Sequence, residues 1–591
     1  MRAAPVPWSA AWPLLCLAGR RPLFAQAALA IVQAVLPFAG LLAMQHLIDA
    51  VAAGLAGRNT PADALAAATL ATLAAGLVAF AGSALRSFVS VLSENHGRAL
   101  TDALVLRVQT HAATLDLADF DRPAFHDLLQ KAGAEASQRP VRLVQDGLAV
   151  LVAGLGLLTM GLWLTRVAIW LPILVAAAAL PIAFVRARHA RERLAWQDQN
   201  VGTQRDAGYA GAVLTGRATS KDVRLLDLAV AFGTRLASLR AKLRESLAEL
   251  ARRRARGELG VTTLASAGLF AAYYVLARTA LAGGLSLGEL VLQAQAAQRA
   301  QNGVRDLLAA LMGEREHRQF LVPVVEFLAR KSAMAPTPAT PPPAADPAAP
   351  ALAFGDVTFR YPETNGDALR GLTFRVARGE RVALVGANGS GKSTIVKLLA
   401  RLYDPDTGIV AGDGVDLRTW PLPAWRAKLS LLLQDAALFE LSLRANLALG
   451  TAAPPPDDAL WSALATVGLD AKVRALHAGL DTMCSRRVSG GVDWSTGEAR
   501  RLVLARALVP AVDLLVVDEP FAALDRDTAL GVARALAALP RSRTLVVVDH
   551  RLDCLRFCDR VLVLERGAVV AEETPAGLAA RDPRFAALRP E

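Results

Sequence analysis

The sequence predicts a multi-domain membrane protein, an all-α domain of six transmembrane helices followed by an α/β domain built on a parallel sheet. Three observations predict it. The first half holds five apolar runs without a charged residue, a Pro- and Ala-rich break follows near residue 340, and beyond it short apolar runs ending in polar residues alternate with helical spacing. With 591 residues the chain exceeds what one hydrophobic core supports, and 53% hydrophobic composition points to a bilayer.

The first run, residues 23–47, is 25 residues long with no charge and no small-residue cleavage site after it, so it reads as a retained membrane helix and not a secretory signal. Residues 64–85, 147–164, 167–185 and 259–276 are equally free of acidic and basic side chains. A sixth candidate, residues 281–312, carries Glu289, Gln293, Gln295, Gln298, Arg299, Gln301, Asn302, Arg305 and Asp306. Lipid does not tolerate that series, whereas a water-filled cavity between helices does. The alternative for this run is a soluble amphipathic helix.

A net charge of +12 fits nucleic acid, anionic headgroups or membrane topology, and the placement of the charges decides. Residues 86–146 and 186–258 hold 7 and 16 Lys/Arg, while the other turns hold only Arg58, Arg166 and Arg278. The positive-inside rule puts both termini and both long loops in the cytoplasm. The expected location is the inner or plasma membrane, multi-pass and in contact with membrane lipids, and no nucleic-acid partner is expected. Both loops read as helical, with apolar spacing such as Leu225, Leu228, Phe232, Leu236 and Leu239, and extend the spans into the cytosol. Four scattered cysteines, Cys16, Cys484, Cys554 and Cys558, make neither a disulfide framework nor a zinc site.

These features divide the chain into a membrane domain at 1–330, a stiff linker at 331–350 and a soluble domain at 351–591. In the last part, residues 382–385, 514–517 and 545–548 read as buried parallel strands whose C-terminal ends carry polar groups, where an α/β sheet places its ligand. Gly386, Ala387, Asn388, Gly389, Ser390, Gly391, Lys392, Ser393 and Thr394 form a P-loop between a predicted strand and a predicted helix. Its glycines let backbone N–H groups wrap phosphates, Lys392 reaches the β- and γ-phosphates of ATP, and Ser393 ligates Mg²⁺. At the end of the strand through Val517, Asp518 suits the Mg²⁺ shell and Glu519 suits the attacking water. A strand-end Asp-Glu pair alone is more often a solvated turn; beside a P-loop it is a phosphate site.

On these motifs the second domain resembles an ATP-binding cassette, an α/β P-loop NTPase, and the chain from about 23 to 588 resembles a half-transporter of the exporter type. The resemblance implies further roles. Tyr361 matches the aromatic residue that stacks on adenine, and Gln434 the glutamine that contacts Mg²⁺ and senses the membrane domain. Asp525 matches the loop that crosses to a partner cassette, and His550 the histidine that contacts the γ-phosphate and positions Glu519. The signature segment departs from the family: counting back from Leu504, it reads Trp494, Ser495, Thr496, Gly497, Glu498. The run at 488–492, with Ser489, Gly490 and Gly491, has the wrong spacing. Ser495 and Gly497 keep what a γ-phosphate clamp needs, while Thr496 adds a Cβ where backbone approaches phosphate.

The implied activity is an ATPase coupled to transport, working by alternating access between two chains that sandwich two ATP molecules. A homodimer is favoured over a heterodimer of complementary halves. Residues 115–126, 214–224 and 480–493 resemble the coupling and pre-signature segments of peptide exporters, and with no peptidase domain ahead of the first span no leader cleavage is expected. The cargo stays open among peptide natural products, drugs, siderophores and lipids. Importers are set aside because they usually keep membrane and ATPase parts on separate chains. A membrane-embedded regulatory ATPase is the alternative that the altered signature raises.

Overall fold

Six long helices carry the first half of the chain in the computed structural model, which describes residues 4–216, 219–334, 346 and 348–588. They are α1 (Arg20–Leu55), α2 (Pro61–Ala112), α3 (Arg139–Leu164), α4 (Leu171–Thr215), α5 (Leu228–Leu281) and α6 (Leu287–Phe320). At 1.5 Å per residue, the 52 residues of α2 reach about 78 Å, against roughly 30 Å of hydrocarbon. The apolar stretch therefore continues without a break into a polar one, as the charged loops predict.

Helix starts follow local chemistry. Thr60 caps α2 by accepting from Asp63 N, with Pro61 at the first helical position. Ser286 and Glu289 form a reciprocal capping box at α6. Two boundaries differ from expectation. Residues 167–170 lie in the connection between α3 and α4 rather than in a span, because an apolar turn has the hydropathy of a helix end. The spacing from Leu225 onward crosses a break: Asp227 has φ 49°, Leu225 closes a separate short helix, and its side chain is 82% exposed.

The helices pack α1 along α2, α3 along α6 and α4 along α5. Small residues let them approach, with Ala272, Ala296, Ala297 and Ala300 beside Leu164, Leu171 and Leu276 in one buried cluster. Large apolar side chains such as Leu70, Leu77, Phe80, Leu162, Ile173 and Phe270 point outward, the inverse of a water-soluble bundle. Helices α1, α2, α3 and α5 are long and apolar enough to cross a membrane, and α4 contributes a shorter apolar stretch at Leu171–Ile182. In α6, Gln293 and Gln301 are buried and donate to the carbonyls of Trp163 and Ala265, while Gln298, Arg299, Asn302 and Asp306 are exposed.

The chain separates into two units, Met1–Ala113 with Leu128–Ala329, and Thr114–Asp127 with Arg330–Glu591. The stretch at 114–127 thus belongs with the second unit. Arg330 bonds Asp119, Asp116 accepts from Ala333 N at 2.6 Å and from Ser332 Oγ, and Tyr403 Oη donates to Asp121. The Pro-rich run at 335–343 lies outside the described residues, as do Arg217 and Ala218.

The second unit has two sheets. Strands β1 (Leu352–Phe359), β2 (Leu369–Val376), β4 (Thr407–Gly412) and β5 (Val415–Asp416) form an antiparallel sheet in the order β2-β1-β4-β5. Strands β3 (Arg381–Gly386), β6 (Leu429–Leu432), β7 (Leu514–Asp518), β8 (Thr544–Val548), β9 (Arg560–Glu565) and β10 (Ala568–Glu573) form the other, in the order β10-β9-β3-β8-β7-β6. The β9-β3-β8-β7-β6 pairs are parallel, and the register aligns Leu384 and Asp518 with Val548. The carboxyl ends of β3, β7 and β8 therefore share one edge, where such a sheet binds its ligand. Helices α7 (Lys392–Leu399), α8 (Thr496–Leu508) and α9 (Arg526–Ala537) complete the frame of the site.

Candidate nucleotide site

The loop from β3 into α7 is shaped by glycine. Gly391 has φ 103°, and a Cβ there would lie 2.7 Å from Leu369 Cδ2 and 2.9 Å from Ala368 O. No side chain caps α7, so its first N–H groups remain open to an anion. Lys392 Nζ is held inside the loop by Gly386 O at 2.8 Å and Ala387 O at 2.9 Å. Burial pushes its ammonium pKa down, and the nearby carboxylates of Asp518, Glu519 and Asp549 oppose that shift.

One cavity of about 460 Å³ brings together Tyr361, Asn388, Gly389, Gly391, Lys392, Ser393, Thr394, Gln434 and Glu519. Tyr361 Oη shares a hydrogen bond with Thr394 Oγ1 at 3.1 Å, and its ring lies edge-on to Phe359 and Tyr403. Gln434 Nε2 donates to Glu519 Oε2 at 3.2 Å. His550 faces a neighbouring cavity of about 470 Å³ shared with Gly386, Ala387, Asn388, Gly389 and Ser390. Ser495, Thr496, Gly497, Glu498 and Asp525 line neither cavity.

Asp518 is suited to a divalent cation. Its Oδ1 is buried without a hydrogen-bond partner among the described residues. Burial pushes its pKa up to about 6, and a hydrogen bond from Ser393 and the charge of Lys392 work in the opposite sense. An orphan carboxylate oxygen in a costly buried position is what a bound cation relieves, and Ser393 and Gln434 supply further oxygens nearby.

The signature residues open α8. Ser495 is its N-cap, accepting from Glu498 N at 3.3 Å while Glu498 Oε2 accepts from Ser495 N at 3.1 Å. Lys472 pairs with Glu498 and holds its carboxyl below the usual range. A Cβ on Gly497 would lie 3.1 Å from Ala523 O, so glycine there permits close approach to the loop that leads into Asp525. Asp525 caps α9 with both oxygens, on Thr528 N and Thr528 Oγ1. Residues 488–491 form a turn, not a helix start.

Two residues drew no role of their own from the sequence, Asp549 being only one of the polar groups that follow the strand at 545–548. Asp549, fully buried, accepts from Phe521 N, His550 N and Arg551 N, fixing the loops after β7 and β8. Arg500 donates to main-chain carbonyls at Gln434, Asp518 and Glu519. Its place two residues beyond Glu498 is the one signal that pointed to it.

Residues 369–522 match the family described as ABC transporter. The second unit is an ATP-binding cassette. As such it binds ATP. An ATP-dependent lipid A-core flippase of Thiobacillus denitrificans is 37% identical over 237 residues, and the mycobactin import ATP-binding/permease protein IrtB of Mycolicibacterium thermoresistibile 40% identical over 241. Each alignment spans 40% of this chain and 40% of the relative, so well under two thirds of either curated protein is matched. A solved bacterial Atm1-family ABC exporter with ATP bound superimposes with TM-score 0.73 at 22% identity, over 96% of this chain and 98% of that one. The chain thus has the fold of an ABC exporter, a helical membrane domain fused to the cassette.

Proposed function

We propose that this chain is one half of a dimeric exporter, in which ATP hydrolysis drives alternating access to carry a peptide natural product, a drug-like molecule or a lipid across the inner or plasma membrane. The observation that carries this reading is the cavity that gathers Tyr361, Lys392, Ser393, Gln434 and Glu519 in a cassette fused to long apolar helices. Tyr361 stacks on adenine, the open N–H groups of the P-loop and Lys392 hold the phosphates, and Glu519, held by Gln434, orients and deprotonates water. His550, beside Asn388 and Gly389, contacts the γ-phosphate. Mg²⁺, held by Ser393, Gln434 and Asp518, would neutralise charge on the phosphates.

Ser495, Thr496, Gly497, Glu498 and Asp525 serve the site of the partner chain, with a homodimer favoured. ATP drives the cycle through its higher affinity for the closed dimer. The basic loops support a cytoplasmic cassette, and the outward apolar side chains support contact with membrane lipids. The exporter fold favours transport over a purely regulatory ATPase. Because one relative is named for import, a fused architecture is no ground for excluding that direction, and outward transport rests on the fold match. Glu519→Gln is expected to abolish phosphate release by the full chain in lipid vesicles while ATP binding persists; undiminished hydrolysis overturns the assignment.

A further inference from the structure

Arg500 lies one turn into α8, the helix that opens with Ser495. Its guanidinium grips two other segments at once. Nη1 donates to Gln434 O at 2.7 Å, Nη2 and Nε donate to Glu519 O at 2.9 and 3.2 Å, and Nη2 also reaches Asp518 O at 3.3 Å. Since the Gln434 side chain bonds the Glu519 carboxylate, the contacts close a ring: Arg500 holds the backbone of both residues whose side chains meet.

That ring encloses a strained point. Glu519 has φ 52°, a conformation that a side-chain-bearing residue keeps only where its surroundings impose it. Glu519 N donates to Val548 O at 2.7 Å on one side, and its carbonyl takes two donors from Arg500 on the other. Further along α8, Arg506 Nη1 donates to Ala437 O at 3.0 Å and Ser430 Oγ to Ala507 O at 2.6 Å, so the helix is fastened to the Gln434 segment at three points. Of the three, Arg500 alone also reaches Glu519.

We propose that Arg500 is a positioning residue that sets the Glu519 carboxylate against Gln434 and ties that setting to the placement of the Ser495 helix. Arg500 does not line the nucleotide cavity. It acts through main-chain carbonyls, so engagement of the helix start by the partner's nucleotide is felt at this chain's own Glu519. A planar fork whose donors sit on separate nitrogens suits carbonyls on two segments better than the single nitrogen of a lysine ammonium. The inference rests on reading Glu519 as the group that activates water.

The test uses the full-length protein in lipid vesicles, with steady-state hydrolysis of MgATP and thermal unfolding measured on each variant. For Arg500→Ala, kcat is expected to fall at least about tenfold while KM for ATP stays within about twofold, as when an interaction serves the reaction step and not ground-state binding. Arg500→Lys should recover little of the loss, and free guanidinium added to Arg500→Ala should recover more. An unchanged kcat, a loss confined to KM, or a loss that guanidinium leaves untouched while the melting temperature drops each overturns the proposal. Glu519→Gln, run alongside, separates the two readings: if it hydrolyses normally the site assignment has failed, and if it is inactive while Arg500→Ala is normal only the positioning role has.

Discussion

Two helix starts in the cassette present the same backbone groups and treat them differently. At Lys392, α7 opens on a glycine with no side-chain cap, and its N–H groups are available to phosphate. At Thr496, α8 opens on Ser495 and Glu498, which cap each other, and the acid sits where the helix dipole is positive. The first end is built to receive an anion from outside. The second supplies its own and balances it with Lys472. On the proposed dimeric reading, a nucleotide approaching α8 competes with a carboxylate already in place, which would make the two faces of an ATP sandwich unequal.

The largest effect is expected at the open end. Lys392→Ala should reduce hydrolysis by on the order of a hundredfold or more, measured as phosphate release, since in the proposed mechanism the ammonium is the charge that meets the phosphates. Comparable hydrolysis would show that α7 is not the primary anion site. Chelating Mg²⁺ with EDTA should stop turnover, with recovery on adding the metal back; activity that survives chelation removes Asp518 from the proposed role. At the self-capped end the effects shrink. Glu498→Gln takes away the carboxylate and should lower KM for ATP by a factor of about two to five, the scale of one charge at a helix start; a raised KM would mean that the acid assists. Ser495→Ala removes the cap and should cost about 1 kcal/mol of stability, read as a melting temperature a few degrees lower.

The membrane helices were legible because lipid demands long charge-free runs, and α1, α2, α3 and α5 obey. The polar α6 was legible only as an exception. Where the reading slipped, the cause is specific. An apolar turn at 167–170 looks like helix, and a single left-handed Asp227 interrupts a helix without disturbing the spacing around it. In the cassette, the glycines were readable because the tight turn from β3 into α7 dictates residue type, and Gly391 at φ 103° obeys. Arg500 and Asp549 were not, because their partners are main-chain atoms that any residue provides.

The rods that enter the bilayer are not equivalent. Helices α1 and α4 contain Pro37 and Pro181, where the hydrogen-bond ladder is interrupted, while α2 and α5, of 52 and 54 residues, have no proline past the first position. An uninterrupted ladder has no local joint, so α2 and α5 pass a tilt of the watery end on to the greasy end with less loss than a helix broken by proline. Pro37 and Pro181 give α1 and α4 a joint at which such a tilt is absorbed, so two of the six long helices are hinged while the other four run as levers.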